Sequence, residues 1–307
     1  MMDYELLLDD EIKAFVAETL SWYPPDAYAQ TVEENRAPYD AMCRAFFQGY
    51  PDGVSTHDAR MCGVPTRQYQ SDLAGPDALV LYFHGGGFVL GGLDSHDDVC
   101  AEIAGDTGVP VWAVDYRLCP ENSRLDALED AGSVLSVARE QGHDRIILAG
   151  DSAGGWLAAA LAHQWRNADD IIGQVLIYPG LGDAMAKPSM ARHAHAPLLS
   201  AEEVQSYALD PREDAQSPLA QTEFSGLPPT LVLAAECDPL ADDGTFYTDA
   251  IKAAGGQALM LVEPGLVHGH LRARHMSARA ARSFERVTQA VGQLAQNGQL
   301  DREILLK

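Results

Sequence analysis

The sequence predicts an α/β protein with a mostly parallel central sheet and helices on both faces. Three observations lead to this fold class. Short apolar segments alternate with helical segments from about residue 57, glycine-rich turns follow several apolar segments, and the 307 residues can bury a sizeable core. Strands that alternate with helices form parallel sheets covered on both sides. We therefore expect one large α/β domain that carries an elaboration.

The N-terminal part of the chain predicts helices instead of strands. Apolar residues between Leu8 and Leu20 recur at helical spacing, and Pro24-Pro25 ends this element. A second helix is predicted from Thr31 to Gln48. Residues 1–50 therefore do not fit the alternation that follows. We expect them at the carboxyl edge of the sheet, where α/β folds bind ligands.

The alternating part of the chain predicts six strands and five helices. The strands are expected at 78–83, 109–114, 145–149, 174–178, 230–235 and 258–262. The helices are expected at 95–106, 124–141, 153–165, 241–254 and 276–294. A polar, proline-punctuated stretch at about 181–226 carries no strand signal. This insertion is the second element that we expect over the edge of the sheet.

Composition and charge exclude several classes of partner. The net charge is −24, from 45 acidic and 21 basic residues, and it would repel a nucleic-acid backbone or an anionic membrane surface. An acidic excess is typical of a well-solvated surface, and salt adaptation is the alternative. The five cysteines are odd in number, scattered and without CxxC spacing, so we expect reduced thiols, a cytoplasmic location and no metal site.

The turn GDSAGG at 150–155 stands between a predicted strand and a predicted helix. Glycines at positions 150 and 154 remove side chains that would collide with the strand and the helix, so a sharp bend can expose the hydroxyl of Ser152. Phosphate binding is disfavoured, because no P-loop lysine and no GxGxxG pattern is present. The motif predicts a nucleophilic serine, and a turn without chemical function is the alternative.

A serine nucleophile needs a base, and the base needs a carboxylate that orients it. Candidates for both follow the last two predicted strands, which places them on the same edge as Ser152. The carboxylate candidates are Glu236, Asp238, Asp242 and Asp243, and the histidine candidates are His268, His270 and His275. Surface positions, helix capping or structural roles are equally open for these side chains.

The segment HGGGF at 84–88 follows the first predicted strand of the alternating part. Acyl transfer develops negative charge on a carbonyl oxygen, and backbone N–H groups reach that oxygen only where no side chain intervenes. A glycine run supplies such access. The segment therefore predicts an oxyanion-binding loop, with a merely flexible loop as the alternative.

Further motifs accompany these in one order along the chain. They are YRLCPE at 116–121, LIYPGLGD at 176–183, LPPTLVLAAECDPLADDG at 227–244 and PGLVHGH at 264–270. In the order and spacing of its motifs, the chain from about residue 75 to 270 resembles the hormone-sensitive-lipase-like esterases, also called bacterial family IV. The resemblance implies an α/β-hydrolase fold with a helical cap and a serine carboxylester hydrolase that needs no cofactor.

Carried over by motif, the resemblance implies a catalytic triad and an oxyanion hole. The triad comprises Ser152 as nucleophile, Asp238 as acid and His268 as base. The oxyanion donors are the backbone N–H groups of Gly86, Gly87 and Ala153.

The resemblance also implies supporting elements. His84 would brace the glycine loop, and Arg117 and Glu121 would form an ion pair that fixes a turn. Two parts of the chain, the N-terminal helices at 1–50 and the insertion at about 181–226, would form the cap. The remaining residues, within 51–307, would then form the catalytic domain.

Three departures from the family pattern concern the substrate pocket. Trp156 follows GDSAGG where the family often has asparagine or a small residue, and His270 replaces the phenylalanine of a terminal HGF. The insertion lacks an aromatic cluster and has His193 and His195 nearby. Because the triad candidates are intact, these departures bear on substrate choice. Phe88 and Trp156 are our candidates for the pocket.

The expected function is hydrolysis of short- to medium-chain acyl esters, because the implied cap is small. The same triad could serve an amidase, a formamidase or an acyltransferase, and the scaffold could also belong to a non-catalytic small-molecule-binding protein. The expected partner is a small ester substrate. Dimers are frequent among similar proteins, so a homodimer is a candidate assembly.

Overall fold

An eight-stranded sheet forms the centre of the molecule, which a computed structural model describes at residues 2–24, 30–182, 187–207 and 216–306. The strand order is β1-β2-β4-β3-β5-β6-β7-β8. The strands are β1 Val54–Met61, β2 Val64–Ser71, β3 Leu79–Phe83, β4 Val111–Val114, β5 Ile146–Asp151, β6 Ile171–Ile177, β7 Thr230–Cys237 and β8 Ala258–Val267. Strands β3 to β8 run parallel, which confirms the predicted fold class.

Helices cover the sheet on both sides. In the described ranges they are α1 Tyr4–Leu7, α2 Asp10–Ser21, α3 Val32–Phe46, α4 Asp97–Thr107, α5 Arg124–Glu140, α6 Ala153–Gln164, α7 Pro188–Arg192, α8 Ala201–Ser206, α9 Ala241–Ala253, α10 Ala278–Asn297 and α11 Arg302–Leu305. Apolar side chains of α5, α6 and α9 pack on one face, and those of α4 and α10 pack on the other. The inner strands are predominantly apolar because both of their faces are covered.

The first two strands form an antiparallel hairpin that the sequence does not reveal. Strand β1 lies at the edge of the sheet and is mostly exposed, so its residues VSTHDARM lack an apolar alternation. Strand β2 pairs antiparallel with β4 and joins the hairpin to the parallel strands. A hairpin with an exposed edge strand therefore carries no apolar signal in the sequence.

The N-terminal helices lie against the carboxyl ends of the last two strands. Ile12 and Phe15 of α2 share an apolar cluster with residues at the ends of β7 and β8, and so do side chains of α3. Helix α3 begins at a capping box formed by Thr31 and Glu34. Helix α2 ends at Ser21, ahead of the predicted proline stop, whose second residue lies outside the described residues.

In its described residues, the insertion contributes two short α-helices, α7 and α8, and a 3₁₀ turn at Pro218–Ala220. Its residues 183–186 and 208–215 lie outside the described part of the chain. Within the described ranges, no helix combines the length and the apolar character that crossing a bilayer requires.

Candidate active site

The turn from β5 to α6 places Ser152 at the carboxyl edge of the sheet. Its backbone has φ 54° and ψ −117°, a conformation that side-chain-bearing residues rarely adopt. A Cβ atom on Gly154 would lie 1.9 Å from the carbonyl oxygen of Phe83, and one on Gly150 would lie 2.5 Å from the backbone of Gly154. Only glycine therefore fits at these two positions, as the motif predicted.

A continuous chain of hydrogen bonds joins Ser152, His268 and Asp238. The Nε2 atom of His268 lies 2.8 Å from the Oγ of Ser152, and its Nδ1 lies 2.7 Å from Oδ2 of Asp238. Asp238 is fully buried, and its Oδ1 accepts the backbone N–H of Leu240 at 2.8 Å. The buried acid is thus fixed in orientation, while the serine and the histidine remain partly exposed.

The competing carboxylates bind elsewhere. Glu236 accepts the N–H of Gly265 at 2.7 Å, and Asp242 accepts the N–H of Ser189 at 2.7 Å. Asp243 is buried and accepts hydrogen bonds from Lys187 Nζ at 2.6 Å and from the N–H of Leu181 at 2.7 Å. Burial raises the pKa of Asp243 to about 6, against the lowering effect of Lys187. Asp242 and Asp243 thus anchor the insertion, whereas Glu236 binds the end of β8.

The competing histidines also lie away from Ser152. His270 is fully buried between the carbonyl of Val267 and the hydroxyl of Ser283, each 3.0 Å from a ring nitrogen. His275 contacts Glu102 at 2.8 Å. Of the three candidate histidines, only His268 reaches the serine.

The glycine loop between β3 and α4 lies beside Ser152. Gly86 and Gly87 have φ values of 123° and 63°, and a Cβ atom on Gly86 would lie 2.2 Å from the carbonyl oxygen of Leu90. Among the described residues, none accepts a hydrogen bond from the N–H groups of these two glycines. Both N–H groups are thus available as donors in the described part of the chain, and their role in an oxyanion hole stays a prediction.

Comparisons with known proteins agree with this geometry. A family model for the α/β-hydrolase fold matches residues 80–272. An ethyl acetate hydrolase of Pseudomonas putida is 38% identical over 252 residues, which cover 75% of this chain and 78% of the relative. This chain belongs to the hormone-sensitive-lipase-like esterases. The predicted activity class, carboxylester hydrolase, is confirmed with the family.

Solved structures of related esterases extend the likeness over nearly the whole chain. A thermostable carboxylesterase from a metagenomic library shares 31% identity at a TM-score of 0.81, covering 88% of this chain and 99% of the other. An esterase of the bacterial hormone-sensitive lipase family shares 25% identity at a TM-score of 0.84, covering 96% and 100% of the two chains. The fold of this esterase is thus that of its relatives.

A buried carboxylate behind the nucleophile escaped the sequence analysis of this esterase. Asp151 accepts hydrogen bonds from Tyr82 Oη and the N–H of Gly85, both at 2.9 Å. His96 Nε2 and Tyr178 Oη lie 3.2 and 3.4 Å from its other oxygen. Burial would raise the pKa of Asp151, yet the charge of His96 and its hydrogen bond hold that pKa well below its usual range.

Asp151 therefore links the nucleophile turn to the glycine loop. The N–H of Gly85 that it accepts is directly adjacent to the two glycines of the candidate oxyanion hole. A Cβ atom on Gly85 would lie 2.4 Å from Oδ2 of Asp151, so the first glycine of the run makes room for this carboxylate. An acidic residue inside an otherwise apolar strand end was the signal that could have revealed it.

His84 lies behind the same loop. Its Nδ1 lies 2.8 Å from the carbonyl oxygen of Gly85, and its ring stacks on Tyr116 with centroids 4.3 Å apart. Burial, reinforced by the nearby His96, lowers the pKa of His84 to about 4. A neutral ring held in this way is consistent with the bracing role that the resemblance implies.

Phe88 and Trp156, the candidate pocket residues, are almost completely buried. Their rings meet edge to face with centroids 5.5 Å apart, and the Trp156 indole N–H donates to the Oγ of Ser217 at 3.3 Å. The guanidinium of Arg124 lies 4.4 Å above the Phe88 ring. Trp156 thus contacts the insertion, and its role in the pocket stays a prediction.

The expected ion pair between Arg117 and Glu121 is wrong. Arg117 instead binds acidic residues in the first turns of α5, with Asp130 at 2.8 Å and Glu129 at 3.0 Å. Glu121 pairs with Arg36 of α3 at 2.7 Å. The chain turns at 119–121, and the two side chains bind different helices. No local pattern in YRLCPE signals the distant partner.

Proposed function

We propose that this esterase hydrolyses short- to medium-chain acyl esters through an acyl-serine intermediate on Ser152. The observation that carries the proposal is the chain of hydrogen bonds in which His268 lies 2.8 Å from the serine oxygen and 2.7 Å from Asp238. A serine hydroxyl is a weak nucleophile, and a base at hydrogen-bond distance is what activates it.

In the first step, the Ser152 oxygen attacks the ester carbonyl while its proton passes to Nε2 of His268. Asp238 accepts the Nδ1–H of the same ring, so it fixes the tautomer and stabilises the imidazolium that forms. The carbonyl π electrons move onto oxygen and give a tetrahedral oxyanion. The N–H groups of Gly86, Gly87 and Ala153 are the proposed donors to that oxygen.

Collapse of this intermediate releases the alcohol. The C–O bond to the leaving group breaks, and the proton on Nε2 of His268 moves to the departing oxygen, leaving an acyl-serine. Water then repeats the sequence, with His268 again as base. The acid leaves after the bond to Ser152 breaks and the serine recovers its proton.

We propose that residues 1–50 and 181–226 together cap a catalytic domain formed by the remainder of 51–307. In support, the hydroxyl of Tyr4 lies 3.2 Å from Nδ1 of His193, so that the two parts touch. The ring of Tyr207 lies so close to Gly87 that a Cβ atom there would be 2.7 Å from it. An aromatic ring against the oxyanion loop restricts space and supports a preference for short acyl chains.

A reducing compartment agrees with the cysteines. All five are free thiols, and three of them are buried. Because disulfides are rare in the cytosol, we propose a cytoplasmic location for the enzyme.

The test is the Ser152→Ala variant of the full chain, assayed with p-nitrophenyl esters from acetate to laurate. We expect its hydrolysis to fall to the background level, and the wild type to react fastest with the shortest chains. Ser55→Ala, which removes an exposed serine of β1, serves as the matched control. Retained activity in Ser152→Ala, or failure of an organophosphate to label Ser152 in the wild type, contradicts the proposal. Amide substrates in competition separate esterase from amidase action.

A further inference from the structure

Helix α3 contacts two loops of the active site that are far apart in sequence. Arg36 and Tyr39 are three residues apart in this helix and therefore lie on one face of it. Arg36 reaches the carbonyl of Val89 in the glycine loop, and Tyr39 reaches Arg272, four residues after His268. One face of α3 thus contacts both the glycine loop, which carries the candidate oxyanion donors, and the loop that follows His268.

The Arg36 guanidinium joins three separate groups. Its Nε donates to the carbonyl oxygen of Val89 at 3.0 Å, and its Nη2 donates to the carbonyl oxygen of Cys119 at 3.0 Å. The same guanidinium forms a forked pair with Glu121 at 2.7 and 2.8 Å. A planar guanidinium suits this arrangement because it presents five donors in fixed directions. Arg36 therefore holds the end of the glycine loop against the turn at 119–121.

The glycine loop needs such a hold because its backbone is strained at Phe88. This residue has φ 65°, in the left-handed region that side-chain-bearing residues avoid. Its carbonyl accepts the N–H of Cys119 at 2.8 Å, one residue before the carbonyl that Arg36 binds. Strained conformations persist only where surrounding contacts fix them, and Arg36 supplies a contact beside this one.

Tyr39 acts on the base through Arg272. The Nη2 of Arg272 donates to the Tyr39 hydroxyl at 2.6 Å, and its Nη1 donates to the carbonyl of Ser95 at 3.3 Å. The Arg272 guanidinium also lies 5.2 Å from the Tyr39 ring centroid. Arg272 belongs to the 3₁₀ turn His270–His275, which begins two residues after His268. Gly269 is the one residue between this turn and His268.

We propose that α3 is a positioning helix for the active site: Arg36 fixes the oxyanion loop, and Tyr39, through Arg272, fixes the loop that carries His268. The inference rests on the proposed function of Ser152 and goes beyond it, because it gives an N-terminal helix a role in the rate of the reaction. Neither residue touches the reacting atoms. Both act by holding groups that do.

The contribution of Arg36 lies in its bonds to carbonyl groups more than in its ion pair. The Glu121 side chain is 55% exposed, and ion pairs with such exposure contribute little. The carbonyl of Val89, in contrast, belongs to the oxyanion loop segment itself. Glu121→Gln should therefore affect turnover less than Arg36→Ala.

The test compares full-length variants by kcat and KM for a short p-nitrophenyl ester and by inhibition with a trifluoromethyl ketone, whose serine adduct carries an oxyanion. Rates are expressed per serine that an organophosphate titrates, so that unfolded protein does not count. For Arg36→Ala we expect kcat to fall about ten- to a hundredfold, because small displacements of reacting groups reduce rates by such factors. For Tyr39→Phe we expect a fall of about two- to tenfold, the effect of one hydrogen bond.

The ketone should bind more weakly to Arg36→Ala in proportion to its loss of kcat/KM, while KM stays within about threefold of the wild type. Arg44→Ala, which removes an exposed arginine from the same helix, is the matched control and should leave both constants unchanged. Arg36→Lys keeps the charge but loses the forked donors, so its kcat should also fall. This variant replaces Arg36→Ala in the test if Arg36→Ala does not fold.

Three results would overturn the inference. One is an unchanged kcat per titrated serine in Arg36→Ala or, if that variant does not fold, in Arg36→Lys. Another is an effect confined to KM, and the third is a Glu121→Gln variant as slow as Arg36→Ala. Failure of the proposed function looks different, because it would appear as activity in Ser152→Ala.

Discussion

Two histidines that are separated by one glycine have opposite environments. His268 is partly exposed and lies between the hydroxyl of Ser152 and the carboxylate of Asp238. His270 has no exposed surface and lies between the carbonyl of Val267 and the hydroxyl of Ser283. The ring of His268 therefore bonds to a carboxylate and to the nucleophile, whereas the ring of His270 bonds to two neutral groups.

The difference shows how neighbours decide what an imidazole can do. Burial lowers the pKa of His270 to about 4, so this ring stays neutral at ordinary pH and serves as a packing and hydrogen-bonding group. A base must instead bind a proton during the reaction, and a buried carboxylate on its far side stabilises that charge. Tyr178 lies between the two, with ring centroids 4.8 Å from His268 and 4.9 Å from His270.

Removing the first histidine should have the largest effect. His268→Ala leaves Ser152 without a base, and we expect kcat to fall by about 10⁴-fold or more, as in other serine hydrolases. The measurement is steady-state hydrolysis of p-nitrophenyl acetate, with circular dichroism to verify folding. A variant that keeps a tenth of the wild-type activity would show that another group, such as His270, can act as base.

Replacing the second histidine should change stability more than turnover. His270→Phe should keep kcat within about tenfold of the wild type, because the ring does not touch the serine. The substitution should instead change how the free energy of unfolding depends on pH. The folded-state pKa of about 4 lies below the ordinary value of 6.5, so the unfolded chain binds more protons in between, and the wild type loses stability as pH falls through this range.

Phenylalanine removes that titration. Between about pH 7 and about pH 4.5, the free energy of unfolding should fall by roughly 2 to 3 kcal/mol more in the wild type than in His270→Phe. Urea unfolding at both pH values measures the difference. The contributions of the other titrating groups cancel in the comparison because both proteins carry these groups. Equal pH dependence in the two proteins would mean that His270 has the same pKa in the folded and the unfolded chain.

The smallest effect on kcat is expected from a substitution of Tyr178, which lies between the two histidine rings. Tyr178→Phe keeps the ring that packs on both histidines and removes a hydroxyl that lies 3.4 Å from Asp151. Because this hydrogen bond is long and Asp151 has closer donors, we expect kcat to change by less than about threefold. A fall beyond tenfold would make the hydroxyl, and not the ring, the important link between the nucleophile turn and the base.

The sequence was informative where the chemistry is local. The turn GDSAGG, the run HGGGF and the apolar inner strands each carry their signal within a few residues, so the elbow and the parallel strands were predicted near their observed positions. Strand β8 is longer than expected and continues through Pro264. Proline is tolerated there because β8 is an edge strand with one unpaired side.

Features that depend on distant partners were missed. The acidic residue of the elbow, Asp151, gave no sign that it would accept an N–H from Gly85, and Arg36 gave no sign that it would bind Val89 and Glu121. No periodicity encodes such pairs, because each depends on how whole elements meet after folding. The choice among the carboxylates and histidines was likewise a matter of three-dimensional position, and only the motif resemblance narrowed it.

The hydrogen bond between Arg272 and Tyr39 joins residues that are 233 positions apart. Helix α3 leaves the ribosome long before its partner is made, and closing a loop of this length is slow because the intervening chain loses entropy. A nascent chain can therefore have most of its secondary structure and still be unable to hydrolyse an ester. In refolding, we expect recovery of activity to lag behind recovery of the helical signal.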